Sequence, residues 1–456
     1  MLDRRFDSSI TFLFLSLIYF LPMGTQAVTP APVVITNVTV IDGTAAEPAH
    51  NLSILINGIH IESVSAQLDI PAGANVLDGE GMVVMPGIID MHTHPTFEIR
   101  TASPRMPFPD PSALPASDKD MKDFIKTRLP GRLELFLERG VTTVISAGGY
   151  WPYDISIRER IKSGELRGPR LLVASPIFTA PGGHPASGIC SGKAWCASRL
   201  SFETADAESA RRGVRRYAAG GVQAIKLVYD SFDKTKLGGP DFKFPRLDLE
   251  VVKAIVDEAR SAQLPVIAHT KTVDETADIT GMGVDALVHS ALMENSDFTT
   301  SDGRHLPTLV AEHGLTVTTT VRGFYERLLS ATGKRRDRME KNFKLVGPSL
   351  EAYRDAGITL MFGTDFDGAG LAPDPGDAVQ SEAEALVAAG FSNHEVIRMA
   401  SGNASMHPMV PDDIGKIKSG MIADILLLNE NPLDDISAIT RPVVVIKNGQ
   451  VVIDKR

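Results

Sequence analysis

The chain has 456 residues, of which 43% are hydrophobic and 22% are charged, and only two are cysteines. This composition excludes an intrinsically disordered chain and a small fold built on a framework of disulfides. The 46 basic and 56 acidic residues give a net charge of −10 without a long basic block, which argues against a nucleic-acid polymer as the partner. The length has room for two or three domains, or for one barrel with additions.

The first 27 residues have the pattern of an export signal. Arg4 and Arg5 precede an apolar stretch at residues 10–23, and small residues lead to a cleavage position after Ala27. The stretch is shorter than the roughly 20 residues that cross a bilayer. We therefore expect residues 1–27 to be a cleaved signal peptide and the mature protein to be secreted or periplasmic, with no membrane span. An uncleaved anchor is the alternative.

Behind this segment, short β-rich runs alternate with segments of helical spacing. The runs that predict strands are residues 83–90, 141–147, 170–179, 224–229, 265–270, 285–290, 315–321 and 358–365. Eight strands alternating with helices predict an α/β fold, a (β/α)8 TIM barrel with expected limits at residues 87–407. A doubly wound open sheet is the alternative, but no G-x-G-x-x-G motif follows the first strand.

The two ends of the chain share a different pattern. Residues 28–86 and 408–456 contain short β-rich segments, separated by Asn-Gly and Asp-Gly pairs that are typical of tight turns between strands. We expect both ends to build one small composite β-sandwich domain beside the barrel.

The two cysteines, Cys190 and Cys196, lie close together in a polar segment. In an exported protein, this spacing favours a disulfide that closes a small local loop. Two free thiols in that loop are the alternative.

Metal-competent side chains lie where the predicted strands end. His92 and His94 close the first barrel strand, and alternate residues of a strand project to the same side. His269, His289 and Asp365 end later strands, at the carboxyl-terminal face where barrel enzymes carry their active sites. An H-x-H pair alone is weak evidence, but five such side chains on one face predict a metal centre.

Lys226 interrupts the apolar run at residues 224–229, where a buried ammonium group is costly. A charged lysine about 4 Å from a divalent ion would be repelled by roughly 8 kcal/mol at an effective dielectric constant near 20. We therefore expect the amine to be neutral, turned away or chemically converted. Addition of carbon dioxide would give a carbamate whose two oxygens can bridge two metal ions. The alternative is a lysine that extends to the barrel mouth or pairs with Asp230.

The order of these residues resembles that of the metal-dependent amidohydrolase superfamily. The motif Pro-Gly-Ile-Ile-Asp precedes the two histidines of the first strand, Gly-Thr precedes Asp365, and Gly-Met-Ile-Ala-Asp-Ile-Leu follows at residues 420–426. The resemblance covers essentially the whole mature chain. Together with the lysine and the Gly-Gly-His184 loop, it is most similar to the branch of imidazolonepropionase-like proteins and exported Xaa-Pro dipeptidases (prolidases).

This resemblance implies two divalent metal ions. The roles that it implies are His92, His94 and Asp365 for the first ion, His269 and His289 for the second, and carboxylated Lys226 as the bridge. Zn²⁺ is the expected ion because neutral imidazoles and carboxylates suit it, although the ligand set does not exclude manganese or cobalt.

The expected mechanism follows from such a site. The ions would supply hydroxide near neutral pH, and Asp365 would take its proton during attack on the amide carbonyl and pass it to the leaving nitrogen. By resemblance, His184 would hold the scissile carbonyl, and an exposed loop histidine is the alternative. Tyr229 and Arg322 are candidates to bind a substrate carboxylate, with packing or surface roles as their alternatives.

The sequence therefore predicts a hydrolase of a C–N amide bond in a small molecule, with a dipeptide such as Xaa-Pro or an N-acyl amino acid as the favoured substrate. A hydrolase of lactones, carbamates or xenobiotic esters on the same metals is one alternative. The other is an inactive exported relative that acts as a binding or scaffold protein. All six metal positions carry competent side chains, which speaks against inactivity. A homo-oligomer is left open.

Overall fold

The computed structural model describes residues 31–97, 114–231, 243–290, 301–368 and 374–456. The expected signal peptide at residues 1–27 lies outside them. Among the described residues, none of the helices combines the length and the apolar character of a membrane span.

The strands are β1 (Val33–Val40), β2 (Ala49–Asn57), β3 (His60–Ser65), β4 (Asn75–Asp78), β5 (Val83–Pro86), β6 (Ile88–Thr93), β7 (Val141–Ser146), β8 (Arg170–Val173), β9 (Ile177–Thr179), β10 (Ser201–Glu203), β11 (Ile225–Val228), β12 (Val266–His269), β13 (Ala286–Val288), β14 (Thr316–Thr318), β15 (Leu360–Met361), β16 (Ile425–Leu428), β17 (Val444–Lys447) and β18 (Gln450–Asp454).

Helices separate most of the strands between β6 and β16. They are α1 (Asp118–Thr127), α2 (Leu129–Glu138), α3 (Tyr153–Lys162), α4 (Ala194–Leu200), α5 (Ala207–Ala219), α6 (Leu249–Ser261), α7 (Val273–Thr280), α8 (Ser301–Glu312), α9 (Arg322–Ser330), α10 (Gly333–Phe343), α11 (Val346–Asp355), α12 (Pro375–Ala388) and α13 (Asn393–Met399). Helix α7 starts directly behind the end of β12 because Thr272 and Glu275 form a reciprocal capping box, which satisfies backbone N–H groups at its first turn.

The strands of the two chain ends form one sheet, in the order β18-β17-β16-β5-β1-β2-β3, with β4 beside β1. Strand β16 runs antiparallel to β5 and pairs Leu427 with Val84. The edge of β3 is covered by the segment before β16, since Ile61 donates to the Met421 carbonyl at 2.8 Å. The two ends therefore share one β-sheet, as expected for a composite unit, and its packing as a sandwich stays a prediction.

The parallel strands form two sheets. One contains β6-β7-β8, and the other has the order β10-β9-β11-β12-β13-β14-β15. Single bridges join their edges, between Ala174 and Ala224 and between Thr93 and Phe366. The described residues thus show the predicted α/β alternation, with neighbouring strands parallel. They do not form one continuous closed sheet, so the closed barrel stays a prediction.

Two of the predicted strands are each divided in the structure. The run at residues 83–90 breaks at Gly87, so that β5 joins the terminal sheet and β6 begins the parallel strands. A Cβ atom at Gly87 would lie 2.2 Å from the Thr142 hydroxyl oxygen, so only glycine fits at this break. The run at residues 170–179 likewise becomes β8 and β9, and the short strand β10 was not predicted.

A buried ion pair connects β8 to the terminal sheet. The Arg170 guanidinium donates to Asp424 Oδ2 at 2.5 Å and to Asn448 Oδ1 at 2.5 Å. The other oxygen of Asp424 accepts the Asn448 backbone N–H at 2.8 Å. This explains the aspartate of the Gly-Met-Ile-Ala-Asp motif as a structural residue.

We expect the Asp424→Ala variant to lose about 3–5 kcal/mol in its free energy of unfolding, because it leaves the Arg170 charge unpaired in a largely buried position. Urea denaturation measures this loss. The matched control is Glu430→Ala, which breaks the exposed pair with Arg441 and is expected to cost less than about 1 kcal/mol. Equal losses in the two variants would contradict a structural role for Asp424.

Candidate metal centre

Three predicted metal ligands come together at the carboxyl-terminal ends of β6 and β15. His92 Nε2 and His94 Nε2 lie 3.4 Å and 3.3 Å from Asp365 Oδ1, respectively. One ligand atom from each of the three side chains falls within 4.8 Å of the others. The two histidines are buried and Asp365 is half-exposed, so the carboxylate faces the open side of the group.

The electrostatics of the three side chains suit a cation. Burial, with a smaller contribution from the neighbouring Lys226, lowers the pKa of His92 to about 3. Desolvation works to raise the pKa of the Asp365 carboxyl, but the adjacent imidazoles of His92 and His94 outweigh it and hold that pKa well below its usual range. A neutral imidazole beside an ionised carboxylate is the protonation state that binds a metal ion.

Backbone contacts fix the orientation of this group. His94 Nδ1 lies 2.7 Å from the Gly148 carbonyl and donates to it, which leaves Nε2 as the nitrogen that faces Asp365. The buried Asp90 accepts the His92 backbone N–H at 3.2 Å and the Thr364 hydroxyl at 2.6 Å. Asp90 therefore ties the His92 strand to the residue before Asp365. Such outer contacts hold metal ligands in place.

The amine of Lys226 is the most unusual atom of the site. Lys226 Nζ is buried and has no hydrogen-bond partner among the described residues. Burial lowers its pKa to about 7, and the charge of Asp365 only partly opposes this shift. The alternative in which Lys226 pairs with Asp230 is not what the structure shows, because Asp230 pairs with Lys271 and His269 instead.

The remaining two predicted ligands lie beside this amine. The ring centroid of His289 is 4.9 Å from that of His92 and 4.4 Å from that of His269. Burial lowers the pKa of both His289 and His269, so both imidazoles are neutral. His269 Nε2 is 3.3 Å from Asp230 Oδ2. The structure thus collects all five predicted imidazole and carboxylate ligands, with the lysine, on one side of the parallel strands.

Orphaned polar atoms at this place provide a test of whether a metal fits. Among the described residues, His92 Nδ1 and Lys226 Nζ are buried without a hydrogen bond, and His269 Nε2 has only the contact with Asp230 at 3.3 Å. Buried polar atoms are normally satisfied, and unsatisfied ones need an explanation such as an ion. Together with the ionised Asp365, this donor set fits divalent cations that accept nitrogen and carboxylate ligands.

His184 lies close to the predicted second ion rather than on an exposed loop. Its ring centroid is 5.9 Å from that of His269 and 5.8 Å from that of Phe244. Burial lowers its pKa to about 3, so the imidazole is neutral and can donate one hydrogen bond. A disulfide between Cys190 and Cys196 joins the loop of His184 to helix α4, so the predicted disulfide is formed and the two free thiols are not.

Tyr229 is buried behind the site. Its hydroxyl donates to Asp278 Oδ2 at 3.0 Å, and the Arg246 guanidinium lies 4.7 Å from its ring centroid. Burial and the hydrogen bond to Asp278 raise its pKa to about 12. These contacts support a packing role, and binding of a substrate carboxylate by Tyr229 stays a prediction.

Arg322 contacts the backbone of the site. Its Nε donates to the Thr364 carbonyl at 2.9 Å and its Nη2 to the Asp365 carbonyl at 3.1 Å. Its Nη1 donates to Glu326 at 3.3 Å. These bonds occupy all three nitrogens of the guanidinium, which favours a role in positioning Asp365. Its binding of a substrate carboxylate stays a prediction.

Two parts of the site were not predicted from the sequence. The first is Asp90, a buried carboxylate within the apolar strand β6. Like Lys226, it is a charged residue in an apolar run, and this local signal could have identified it. The second is the ion pair between Asp230 and Lys271 beside His269. It depends on how the segments after β11 and β12 meet, and the sequence carries no local signal for that contact.

Several known proteins are similar to this chain over most of its length. Ochratoxinase from Aspergillus niger is 24% identical over 433 residues, which is 88% of this chain and 82% of the ochratoxinase. Its solved structure superimposes with a TM-score of 0.74 at 21% identity and covers 93% of this chain and 96% of its own. A Xaa-Pro dipeptidase solved with bound methionine gives a TM-score of 0.73 at 21% identity, with coverages of 92% and 99%. Phenylurea hydrolase B gives 0.72 at 22% identity, with coverages of 93% and 97%.

These structural likenesses show a shared fold. The model of the amidohydrolase family matches residues 83–452, which includes every predicted ligand. This match confirms the predicted family and with it the prediction of a hydrolase. The chain belongs to the amidohydrolase family.

Proposed function

We propose that this chain is a binuclear metal-dependent amidohydrolase that cleaves the C–N amide bond of a dipeptide, such as Xaa-Pro, or of an N-acyl amino acid. The observation that carries the proposal is Lys226. Its amine is buried without a hydrogen-bond partner among the described residues, and it lies beside neutral imidazoles and an ionised carboxylate. A permanently bare amine there has no structural purpose, whereas a carbamate would complete a metal site.

In this proposal, His92, His94 and Asp365 would hold the first ion. His269 and His289 would hold the second, and a carbamate formed on Lys226 would supply oxygen ligands to both. Divalent ions bound there would polarise an amide carbonyl and lower the pKa of a water molecule. Zn²⁺ is the proposed ion because the set consists of imidazoles and carboxylates.

Proton transfer is assigned to Asp365. Its carboxylate is half-exposed and ionised, so it can accept a proton from the attacking water at Oδ1 or Oδ2. Protonation makes it a donor to the leaving nitrogen, which must gain a proton as the C–N bond breaks. Arg322 donates to the Asp365 carbonyl and Asp90 binds the preceding Thr364, and these two contacts hold the backbone of Asp365 in place.

Carbonyl binding is assigned to His184. Its neutral ring lies beside His269 at the proposed second ion. From there a ring N–H could donate to the scissile carbonyl oxygen as negative charge develops on it.

The substrate class rests on the relatives. An enzyme named Xaa-Pro dipeptidase and one named ochratoxinase share the fold, which supports a small-molecule substrate. A second candidate substrate is a non-peptide amide or a urea. A phenylurea hydrolase has the same fold, and Tyr229 and Arg322, the candidates to bind a substrate carboxylate, are already hydrogen-bonded within the protein.

We also propose that residues 1–27 direct export to the periplasm or medium. N-terminal sequencing of the exported protein tests this proposal.

A substrate screen tests the proposed function. The protein is loaded with Zn²⁺ and bicarbonate and incubated with Xaa-Pro dipeptides, other dipeptides, N-acyl amino acids, phenylureas and lactones. We expect hydrolysis of one amide class, with kcat/KM in the range above about 10⁴ M⁻¹s⁻¹ for the best substrate. Activity confined to lactones would overturn the amide assignment, and activity confined to phenylureas would favour the second candidate.

A further inference from the structure

Strand β14 supplies no predicted metal ligand. The segment that follows it in the chain nevertheless contacts two predicted ligands, His289 and Asp365. We propose that this loop, residues 319–322, is a positioning loop that orients one ligand of each metal ion: Thr320 orients His289, and Arg322 orients Asp365. The inference rests on the proposed binuclear site and adds to it the residues that hold its geometry.

The first contact joins two residues with unusual backbones. His289 has φ +65° and Thr320 has φ +55°, in the left-handed region that non-glycine residues seldom adopt. A β-branched threonine is especially rare there, so the surrounding structure must enforce it. Thr320 Oγ1 lies 2.6 Å from His289 Nδ1. When Nδ1 carries the proton and donates to this hydroxyl, Nε2 is the nitrogen left to bind a cation.

The second contact holds the backbone on both sides of Asp365. This residue also has a left-handed conformation, with φ +53°. The peptide carbonyl before its Cα belongs to Thr364, and the one after it belongs to Asp365 itself. Arg322 donates to both, at 2.9 Å and 3.1 Å. Because the two peptide planes that flank Asp365 are tied to one rigid guanidinium, the backbone at Asp365 is held, and with it the direction in which its Cα–Cβ bond leaves the chain.

One buried carboxylate anchors the loop from behind. Glu382, on α12, accepts the Thr319 hydroxyl at 2.5 Å and the Arg322 backbone N–H at 2.6 Å. Both ends of the loop are therefore attached to the same side chain, which is fully buried. The two ligand contacts thus come from a single anchored unit, so a disturbance of the loop reaches both ions.

The test measures Zn²⁺ affinity by chelator competition, at pH 8 with bicarbonate, in Thr320→Val and Arg322→Met. We expect each change to weaken the binding of one of the two Zn²⁺ equivalents by about 10–100-fold, as is typical for residues that support metal ligands. Thr316→Val is the matched control, since its buried hydroxyl on β14 has no hydrogen-bond partner among the described residues. It is expected to leave Zn²⁺ affinity and activity unchanged.

Kinetics separate positioning from substrate binding. For Arg322→Met, a positioning role predicts a lower kcat with little change in KM, and partial recovery in Arg322→Lys. A positioning role also predicts that kcat falls by the same factor for a substrate with a free carboxylate and for the neutral amide of that substrate. A raised KM confined to the carboxylate substrate, with normal Zn²⁺ affinity, would overturn the positioning role and assign Arg322 to the substrate.

Hydrogen exchange keeps the inference separate from the proposed function. In the metal-free protein, Arg322→Met should speed exchange of the Asp365 amide, which donates to the His92 carbonyl at 2.7 Å, while Thr316→Val should not. If the wild-type protein bound no Zn²⁺, the binuclear proposal would fail, yet this comparison would still report on the loop. Unchanged exchange at Asp365 in Arg322→Met would overturn the inference.

Discussion

If the proposed binuclear site is right, the Lys226→Ala variant is expected to lose one of two bound metal ions and about a thousandfold in kcat, because Lewis-acid stabilisation of about 4 kcal/mol would disappear with the proposed carbamate. The protein should still fold, because removal of a buried, unpartnered amine leaves no unsatisfied polar group behind. Metal analysis and steady-state kinetics on the purified variant measure the two losses.

The pKa of Lys226 adds a pH dependence to this prediction. Because burial lowers this pKa to about 7, the amine is mainly neutral at pH 8 and mainly protonated at pH 6. Only the neutral amine can attack carbon dioxide, with formation of an N–C bond and release of one proton. Loading of the metal-free protein with Zn²⁺ and bicarbonate should therefore restore activity at pH 8 and fail at pH 6.

Short-chain carboxylic acids provide the positive control. Acetate or propionate can enter the space left in Lys226→Ala and supply the two oxygens of the missing carbamate, so each should restore part of the lost activity. Lys447→Ala, which removes a partly buried amine from β17 in the terminal sheet, should lose none. Full activity in Lys226→Ala without added acid would contradict the bridging role.

The second large effect is expected at Asp365. The Asp365→Asn variant should lose about 10²–10⁴-fold in kcat, the range that general acid–base groups contribute. Asparagine tolerates the left-handed backbone found at this position and has nearly the same shape, so the change removes the proton acceptor and the charge while keeping the local fold.

A change in metal affinity should accompany the loss of kcat in Asp365→Asn. The affinity of one Zn²⁺ equivalent should fall, because Asp365 lies within ligand distance of His92 and His94. The exposed Asp412→Asn is the matched control and should behave as the wild type. Retention of more than a tenth of the wild-type kcat in Asp365→Asn would mean that another group carries the proton.

The ligand side chains could be predicted from the sequence because each occupies a position that local rules determine. His92 and His94 alternate along one strand, and His269 closes an apolar run, so parallel strands bring them to one face. The charge of Lys226 within an apolar run was an equally local signal. The structure places these residues together, with the rings of His92 and His289 4.9 Å apart.

The supporting contacts could not be predicted in the same way. Arg322 reaches the carbonyls of Thr364 and Asp365 across more than 40 positions of sequence, and Glu382 reaches the β14 loop across 60. Such bonds depend on how loops and helices meet after folding, which no periodicity encodes. For this reason the sequence makes Arg322 a candidate to bind the substrate, whereas its observed contacts are with Glu326 and with the backbone of the site.

Metal stoichiometry tests the central claim most directly. The purified protein is loaded with Zn²⁺ and bicarbonate at pH 8, freed of unbound ions and analysed by mass spectrometry of its metal content. We expect close to two Zn²⁺ per chain in the wild type and close to one in Lys226→Ala. A wild-type protein that holds no Zn²⁺, manganese or cobalt under these conditions would show that the proposed metal centre does not exist.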